Sequence, residues 1–167
     1  MNNIKILLKK ILSFFTEDKR SAFLWVFVRV YVGYEWLIAG WHKLGVPVWT
    51  GDQAGVAVSG FLNGALAKMA GEHPDVSMWY GWLINHVFLP NATTLSYIVT
   101  YGEIAIGIAL IIGLWTRLSA FFGAFMNFNY LFAGTVSSNP WLLLLQIFII
   151  ASHKTAGWIG VDRYIKK

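Results

Sequence analysis

The sequence LSAFFGAFMNFNYLFAGTVSSNPWLLLLQIFIIAS, residues 118–152, decides the fold class of this chain. No formal charge occurs in this stretch, and the segment Ser137–Pro140 divides it near the middle. Proline favours the first turn of a helix, and the residue before a proline avoids helical geometry. The stretch therefore predicts two apolar helices, over about 118–136 and 141–158, that lie in lipid rather than in water.

The composition of the whole chain also indicates a membrane protein. Of its 167 residues, 57% are apolar and 13% are charged, whereas about 25% of the residues of a soluble domain are charged. The mean hydropathy is +0.57. These values exclude a soluble globular enzyme. The formal net charge of +5 is attributed to basic residues that flank spans and meet anionic lipid, and no nucleic-acid partner is expected.

Two further apolar stretches and two segments without a spanning run complete the predicted fold. In the amino-terminal segment, apolar residues recur at helical spacing between lysines, which predicts an amphipathic helix in the membrane surface. The long loop contains several turn signals and small helices over 53–70 and 78–89. The prediction is an all-α integral membrane protein: an amphipathic helix at 1–20, then a four-helix bundle over 21–167 with spans at about 22–41, 95–114, 118–136 and 141–158, and an extracytoplasmic cap loop at 42–92.

The lysines and arginines predict the orientation of the chain. Outside the predicted spans, five lie in residues 1–20, one lies in the turn at 115–117, and four follow from Lys154 onward. The long loop carries only Lys43 and Lys68. Because basic residues concentrate on the cytoplasmic side, we expect a multi-pass protein of the cell (inner) membrane with both termini in the cytoplasm.

Charged residues inside the predicted spans are candidates for function, because each costs about 2.5–3.5 kcal/mol at the centre of a spanning helix. Arg29 lies in the inner half of the first span, about 20 Å below Lys43 at ~1.5 Å per residue. Glu35, Glu103 and Gln146 reach similar depths, so they can meet in one polar pocket. Each of these residues can instead hold the helices together by pairing within the protein.

Several cofactor classes lack their motifs in this chain. It contains no cysteine, which removes disulfides, iron–sulfur clusters and thiolate zinc sites. It also has no Walker loop, no dinucleotide glycine fingerprint and no HExxH motif. The four histidines do not share one helical face, so we expect neither a metal nor a haem.

Three stretches of the sequence resemble the DoxX/DoxD membrane family. The first, VRVYVGYEWLIAGWHKL (28–44), is similar to the family's pattern of Arg, then Gly, then A-G-x-x-K-L. The second, GEIAIGIALIIGLWTRLSA (102–120), is similar to the family's glutamate, glycine-rich helix and Thr-Arg turn. The third, AGWIGVDRYI (156–165), is similar to the family's A-G-x-x-G-x-D tail.

This resemblance implies a four-helix membrane bundle and a link to thiosulfate:quinone oxidoreductase, in which DoxD-type subunits pass electrons from thiosulfate to quinone. A homodimer or a small accessory subunit stays open as a partner. The alternative is a non-catalytic membrane subunit that anchors or assembles a redox partner.

The hypothesis assigns each group of polar residues a role. Thiosulfate, or another small anion, needs cations, and the quinone co-substrate needs an apolar slot with a few polar groups. Buried carboxylates can pass protons to the reduced quinone. The candidates are Lys43, His42 and Arg29 for the anion, Trp36, Asn127, Asn129 and Tyr130 for the quinone, and Glu103 with Glu35 for the protons.

Overall fold

In a computed structural model, residues 2–152 and 154–165 are described, with the backbone alone for residues 2 and 3. Every regular element in these ranges is helical, which confirms the all-α prediction. A π-helical turn at Ile84–Phe88 and a 3₁₀ turn at Leu89–Asn91 join α5 to α6. The helices are α1 (Asn2–Glu17), α2 (Ala22–Trp41), α3 (Pro47–Thr50), α4 (Val56–Ala67), α5 (Met78–Leu83), α6 (Ala92–Ile112), α7 (Thr116–Phe132), α8 (Asn139–Ala151) and α9 (Asp162–Ile165).

Two helical stretches of the described chain are long and apolar enough to cross a membrane. They are Lys19–Trp41, which contains α2, and Met78–Ile112, which ends with α6. By contrast α8 has 13 residues, about 20 Å at ~1.5 Å per residue, against a hydrocarbon core of about 30 Å. The membrane bundle of four spanning helices therefore stays a prediction.

The predicted third and fourth spans, 118–136 and 141–158, are longer than the helices that form. α7 ends in a Schellman arrangement: Gly134 has φ 69°, and the N–H of Thr135 donates to the carbonyl of Tyr130 at 2.9 Å. α8 ends at Ala151. After it, the carbonyls of Ala156 and Ile159 accept hydrogen bonds from the guanidinium of Arg29 on α2, and the short helix α9 follows.

The four long apolar helices share one buried cluster. α2 packs most extensively against α6, and α7 packs against α8. Residues from all four helices contribute to the cluster. A second cluster, around Tyr80 and Ile84, joins residues of the long loop to Ala92 of α6 and to Ala133 at the end of α7. The first cluster contains Trp25, Val32, Trp36, Ile106, Leu110, Ala120, Leu142, Ile149 and Ala156.

Glycines allow the backbones of α2 and α6 to approach closely. A Cβ atom placed on Gly107 would lie 2.6 Å from the backbone nitrogen of Leu37. A Cβ atom on Gly33 would lie 2.8 Å from the carbonyl oxygen of Gly107. Helices in lipid associate through such close packing of small residues, so this contact fixes the spacing of α2 and α6.

We expect Gly107→Ala to lower the free energy of unfolding by about 1–3 kcal/mol, the usual cost of overpacking. The added methyl group meets backbone atoms of α2, which cannot move aside as a flexible side chain can. Gly60→Ala is the matched control, because a Cβ at Gly60 has no heavy atom within 4 Å. Thermal unfolding in detergent compares the two; equal melting temperatures would contradict the close contact.

Candidate functional site: a buried carboxylate between two helices and a loop

Glu103 is a buried carboxylate on α6, only 2% exposed. Its Oε2 lies 2.6 Å from the Nζ of Lys43, and its Oε1 accepts a hydrogen bond of 2.9 Å from the hydroxyl of Tyr130. Lys43, Glu103 and Tyr130 are called the carboxylate cluster below. Because both oxygens have a partner, the negative charge of Glu103 is balanced although it lies away from water.

Lys43 reaches Glu103 from the turn that follows α2. Its ammonium group also donates to the carbonyl of Ala39 at 3.0 Å and lies 5.1 Å from the centre of the Trp49 ring. Ser96 of α6 donates to the carbonyl of Trp49 at 2.6 Å, which fixes α3 over the lysine. The Lys43 side chain is still 19% exposed, so water and ions have access to it.

Aromatic rings hold Tyr130 in place. The ring of Trp36, on α2, stacks against Tyr130 with centroids 6.5 Å apart and an interplanar angle of 24°. Phe61, on α4, packs edge-on against Tyr130 at 6.0 Å. One side of the carboxylate cluster is thus an aromatic wall, which suits the face of a flat ring.

A pair of amides lies next to this wall. Asn127 of α7 donates to Oε1 of Gln146 of α8 at 2.7 Å, and both side chains are fully buried. The Nε1 of Trp36 and the Nε2 of Gln146 both pack against Gly123, where a Cβ atom would not fit. Neither nitrogen has a hydrogen-bond partner among the residues described in the structure. Trp36 and Gln146 therefore each present an unused hydrogen-bond donor beside the carboxylate cluster.

In a comparison with protein-family models, residues 24–135 match the DoxX family. The chain belongs to the DoxX family. No curated protein and no solved structure matches the chain. DoxX proteins form a membrane family often linked to oxidoreductase-related functions. The match includes every residue of the carboxylate cluster, whereas α1, α8 and the tail after α8 lie outside it.

Arg29 lies in a different part of this DoxX protein. Its guanidinium donates to the carbonyls of Ala156, at 3.3 Å, and Ile159 in the tail. It also interacts electrostatically with Asp162, whose carboxylate accepts from the N–H of Thr116 at 2.9 Å. Arg29, Thr116 and Asp162 are called the tail cluster. The structure does not bring Arg29 to Lys43.

Three other predicted site residues lie apart from the carboxylate cluster. Glu35 is half-buried and has no hydrogen bond or ion pair within the described ranges, and His42 is exposed. Asn129 accepts from the hydroxyl of Tyr80 at its carbonyl, 2.9 Å, and at its side-chain oxygen, 3.2 Å. The sequence predicted that Glu35, Glu103 and Gln146 can meet in one pocket. In the structure, Glu103 lies in the carboxylate cluster and Gln146 in the neighbouring pair of amides, and Glu35 belongs to neither group.

Sequence reasoning missed three residues near these clusters. Phe61 and Trp49 come from the long loop, where no periodic pattern shows which side chain turns toward the helices. Asp162 had a signal, because it is the last residue of the A-G-x-x-G-x-D tail pattern in AGWIGVDRYI. Its partners could not be read from the sequence, since they lie in α2 and at the start of α7.

Proposed function

We propose that the chain is a quinone-linked membrane oxidoreductase in which Glu103 delivers protons to the reduced quinone. The observation that carries the proposal is the buried carboxylate of Glu103, held between an ammonium group and a phenol beside an aromatic wall. Membership of the DoxX family agrees with a redox role. The electron donor in this proposal is thiosulfate, as in the DoxD-type proteins that the sequence resembles.

The proposal places α2, α6, α7 and α8 across the cell membrane with both termini in the cytoplasm. The distribution of lysine and arginine supports this orientation. Lys43 then lies at the extracytoplasmic end of α2, where a dianion arrives from water. Its partly exposed ammonium group is the cation that attracts the dianion.

The reaction balances with two electrons. Two thiosulfate ions join through a new S–S bond to form tetrathionate and release two electrons. A quinone accepts these two electrons and takes up two protons, one on each carbonyl oxygen, to become a quinol. The chain has no cysteine to store electrons, so donor and acceptor meet in one place. There Trp36 lies against the quinone ring, and the free donors of Trp36 and Gln146 bind a carbonyl oxygen. Glu103 takes up protons from water one after the other and passes each of the two to the reduced quinone.

Quinone reduction by the purified full chain in lipid nanodiscs tests this proposal, with thiosulfate and a short-chain quinone as substrates. We expect Lys43→Gln to raise the KM for thiosulfate roughly 10-fold or more, since a charge-assisted hydrogen bond contributes about 1.5–3 kcal/mol. Lys68→Gln, which removes one charge from the same long loop, is the control and should change the KM less than about twofold. No quinone reduction above a protein-free blank would refute thiosulfate as the donor.

A second candidate is a non-catalytic subunit that holds a redox partner in the membrane. It is favoured by the complete pairing of Glu103 within the chain, which is also what a structural ion pair requires. A partner that co-purifies in equal amount, with activity insensitive to Lys43→Gln and Glu103→Gln, would support this candidate. Loss of activity in these variants without loss of the partner would support catalysis.

A further inference from the structure

One face of α1 exposes a continuous row of apolar side chains. Their spacing places them within one arc of the helix, and they are between 47% and 65% exposed. Within the described ranges no other element packs over this arc. The side chains are Ile4, Leu7, Leu8, Ile11 and Leu12.

The lysines of α1 lie outside this arc, on the part of the helix surface that also carries the exposed Ile6. Lys5, Lys9 and Lys10 are exposed and have no acidic partner in the part of the chain that the structure describes. The nearby acidic residues are already engaged: Glu17 pairs with Lys154 at 3.0 Å, and Asp18 pairs with Arg20 at 3.2 Å. Three positive charges are thus available to an external negative surface.

The last turn of α1 is fixed to the start of α2 and to the tail. The carbonyl of Phe15 accepts from Nε1 of Trp25 at 2.9 Å and from the hydroxyl of Thr155 at 2.7 Å. The ring of Phe15 packs edge-on against Trp25 at 6.2 Å. Since α2 begins at Ala22, α1 ends within about one helical turn of a helix able to cross a membrane.

At the same end of the molecule, two cations lie close to the ring of one tryptophan. Lys19 lies 3.9 Å from the ring centre of Trp158, and Arg163 lies 5.4 Å from it on the same ring system. Tryptophan and basic residues are enriched where helices pass the lipid headgroups. This group therefore marks the level of the membrane surface next to the end of α1.

We propose that α1 lies on an anionic lipid leaflet, with its apolar row among the acyl chains and its lysines at the headgroups. The side chains of the apolar arc are buried among the acyl chains, and the unpaired lysines complement the negative charge of the headgroups. The fixed last turn holds α1 at the level of the membrane surface. The lipid that fits is an anionic phospholipid, because a zwitterionic surface leaves the charges of Lys5, Lys9 and Lys10 without a counterpart. This inference is independent of the proposed chemistry at Glu103.

Single-cysteine labelling tests the proposal cleanly, because the chain has no cysteine of its own. An environment-sensitive fluorophore is attached to Leu8→Cys, on the apolar row, or to Ser13→Cys, on the other face. The full chain is placed in vesicles of phosphatidylcholine with or without phosphatidylglycerol. We expect the Leu8 label to emit at shorter wavelength and to be quenched by a lipid-borne quencher in anionic vesicles, and the Ser13 label to be quenched by iodide.

Charge variants complete the test. Replacing Lys5, Lys9 and Lys10 together by glutamine should abolish the difference between the two lipid compositions, whereas replacing them by arginine should preserve it. A Leu8 label that stays accessible to iodide in anionic vesicles would overturn the proposal. Equal depth in both lipids would overturn its anionic part, and cross-linking of two chains through Leu8→Cys without lipid quenching would assign the row to a second copy.

Discussion

Glu103→Gln is expected to lower thiosulfate-dependent quinone reduction at least about 100-fold, the lower end of what a general acid contributes. The amide is nearly isosteric with the carboxylic acid but cannot carry the transferable proton. It can still accept the hydrogen bond from Tyr130, so the fold should persist. The rate of quinone reduction at saturating thiosulfate measures the effect, and Glu72→Gln, on an exposed loop, is the matched control.

A double variant separates catalysis from structural pairing at this site. Glu103→Gln leaves the Lys43 ammonium without its counter-ion, and Lys43→Gln/Glu103→Gln restores charge balance. If Glu103 supplies protons, the double variant regains thermal stability but not turnover. Recovery of both properties would instead show that the pair only holds α2 and α6 together, and turnover within about twofold of wild type in Glu103→Gln would place the proton donor elsewhere.

Asp162→Ala is expected to cause the largest loss of stability, about 3–5 kcal/mol, the usual effect of leaving a buried charge without its counter-charge. Arg29 and Asp162 are each 3% exposed, so the remaining guanidinium would stay buried with only carbonyl partners. The tail after α8 should then detach from α2. Thermal unfolding in detergent gives the loss of stability, and limited proteolysis within residues 154–165 reports the release of the tail.

Two further variants check the tail cluster. Arg163→Gln, an exposed cation next to Asp162, is the control and should change stability by less than about 1 kcal/mol. Gly113→Ala should resemble Asp162→Ala, because Gly113 has φ 71° and a Cβ atom there would overlap the guanidinium of Arg29. If Asp162→Ala and Arg163→Gln were equally stable, the tail cluster would not hold the tail.

The start and end of α2 could be predicted from the sequence, whereas the ends of α7 and α8 could not. The apolar run of α2 is bounded by charged residues, so composition marks both limits. At the end of α7 the apolar run continues to Val136, but Gly134 adopts a left-handed conformation and stops the helix earlier. α8 ends at Ala151, and the segment after it is held by Arg29 through the carbonyl of Ala156, a contact across 127 residues of sequence that the local pattern does not predict.

The sequence predicted how deep the candidate site residues lie along their helices, but not the direction in which their side chains point. Counting residues along the spans placed Glu35 and Glu103 at one level, but the two side chains do not meet. Neighbouring helical residues differ by about 100° around the axis. That rotation turns Trp36 into the shared core and leaves Glu35 half-buried outside it. The contact between Tyr130 and Glu103 depends on how α7 crosses α6. This crossing cannot be predicted from a local sequence pattern.

The glycine contacts between α2 and α6 also determine where this protein can move. Backbones that touch without intervening side chains cannot slide or tilt against each other without steric overlap. We therefore expect α2 and α6 to move as one rigid body that carries both Lys43 and Glu103. Any opening that admits a ring to this carboxylate is then a hinge motion of α7 and α8, or of the loop that bears Trp49, against that rigid body.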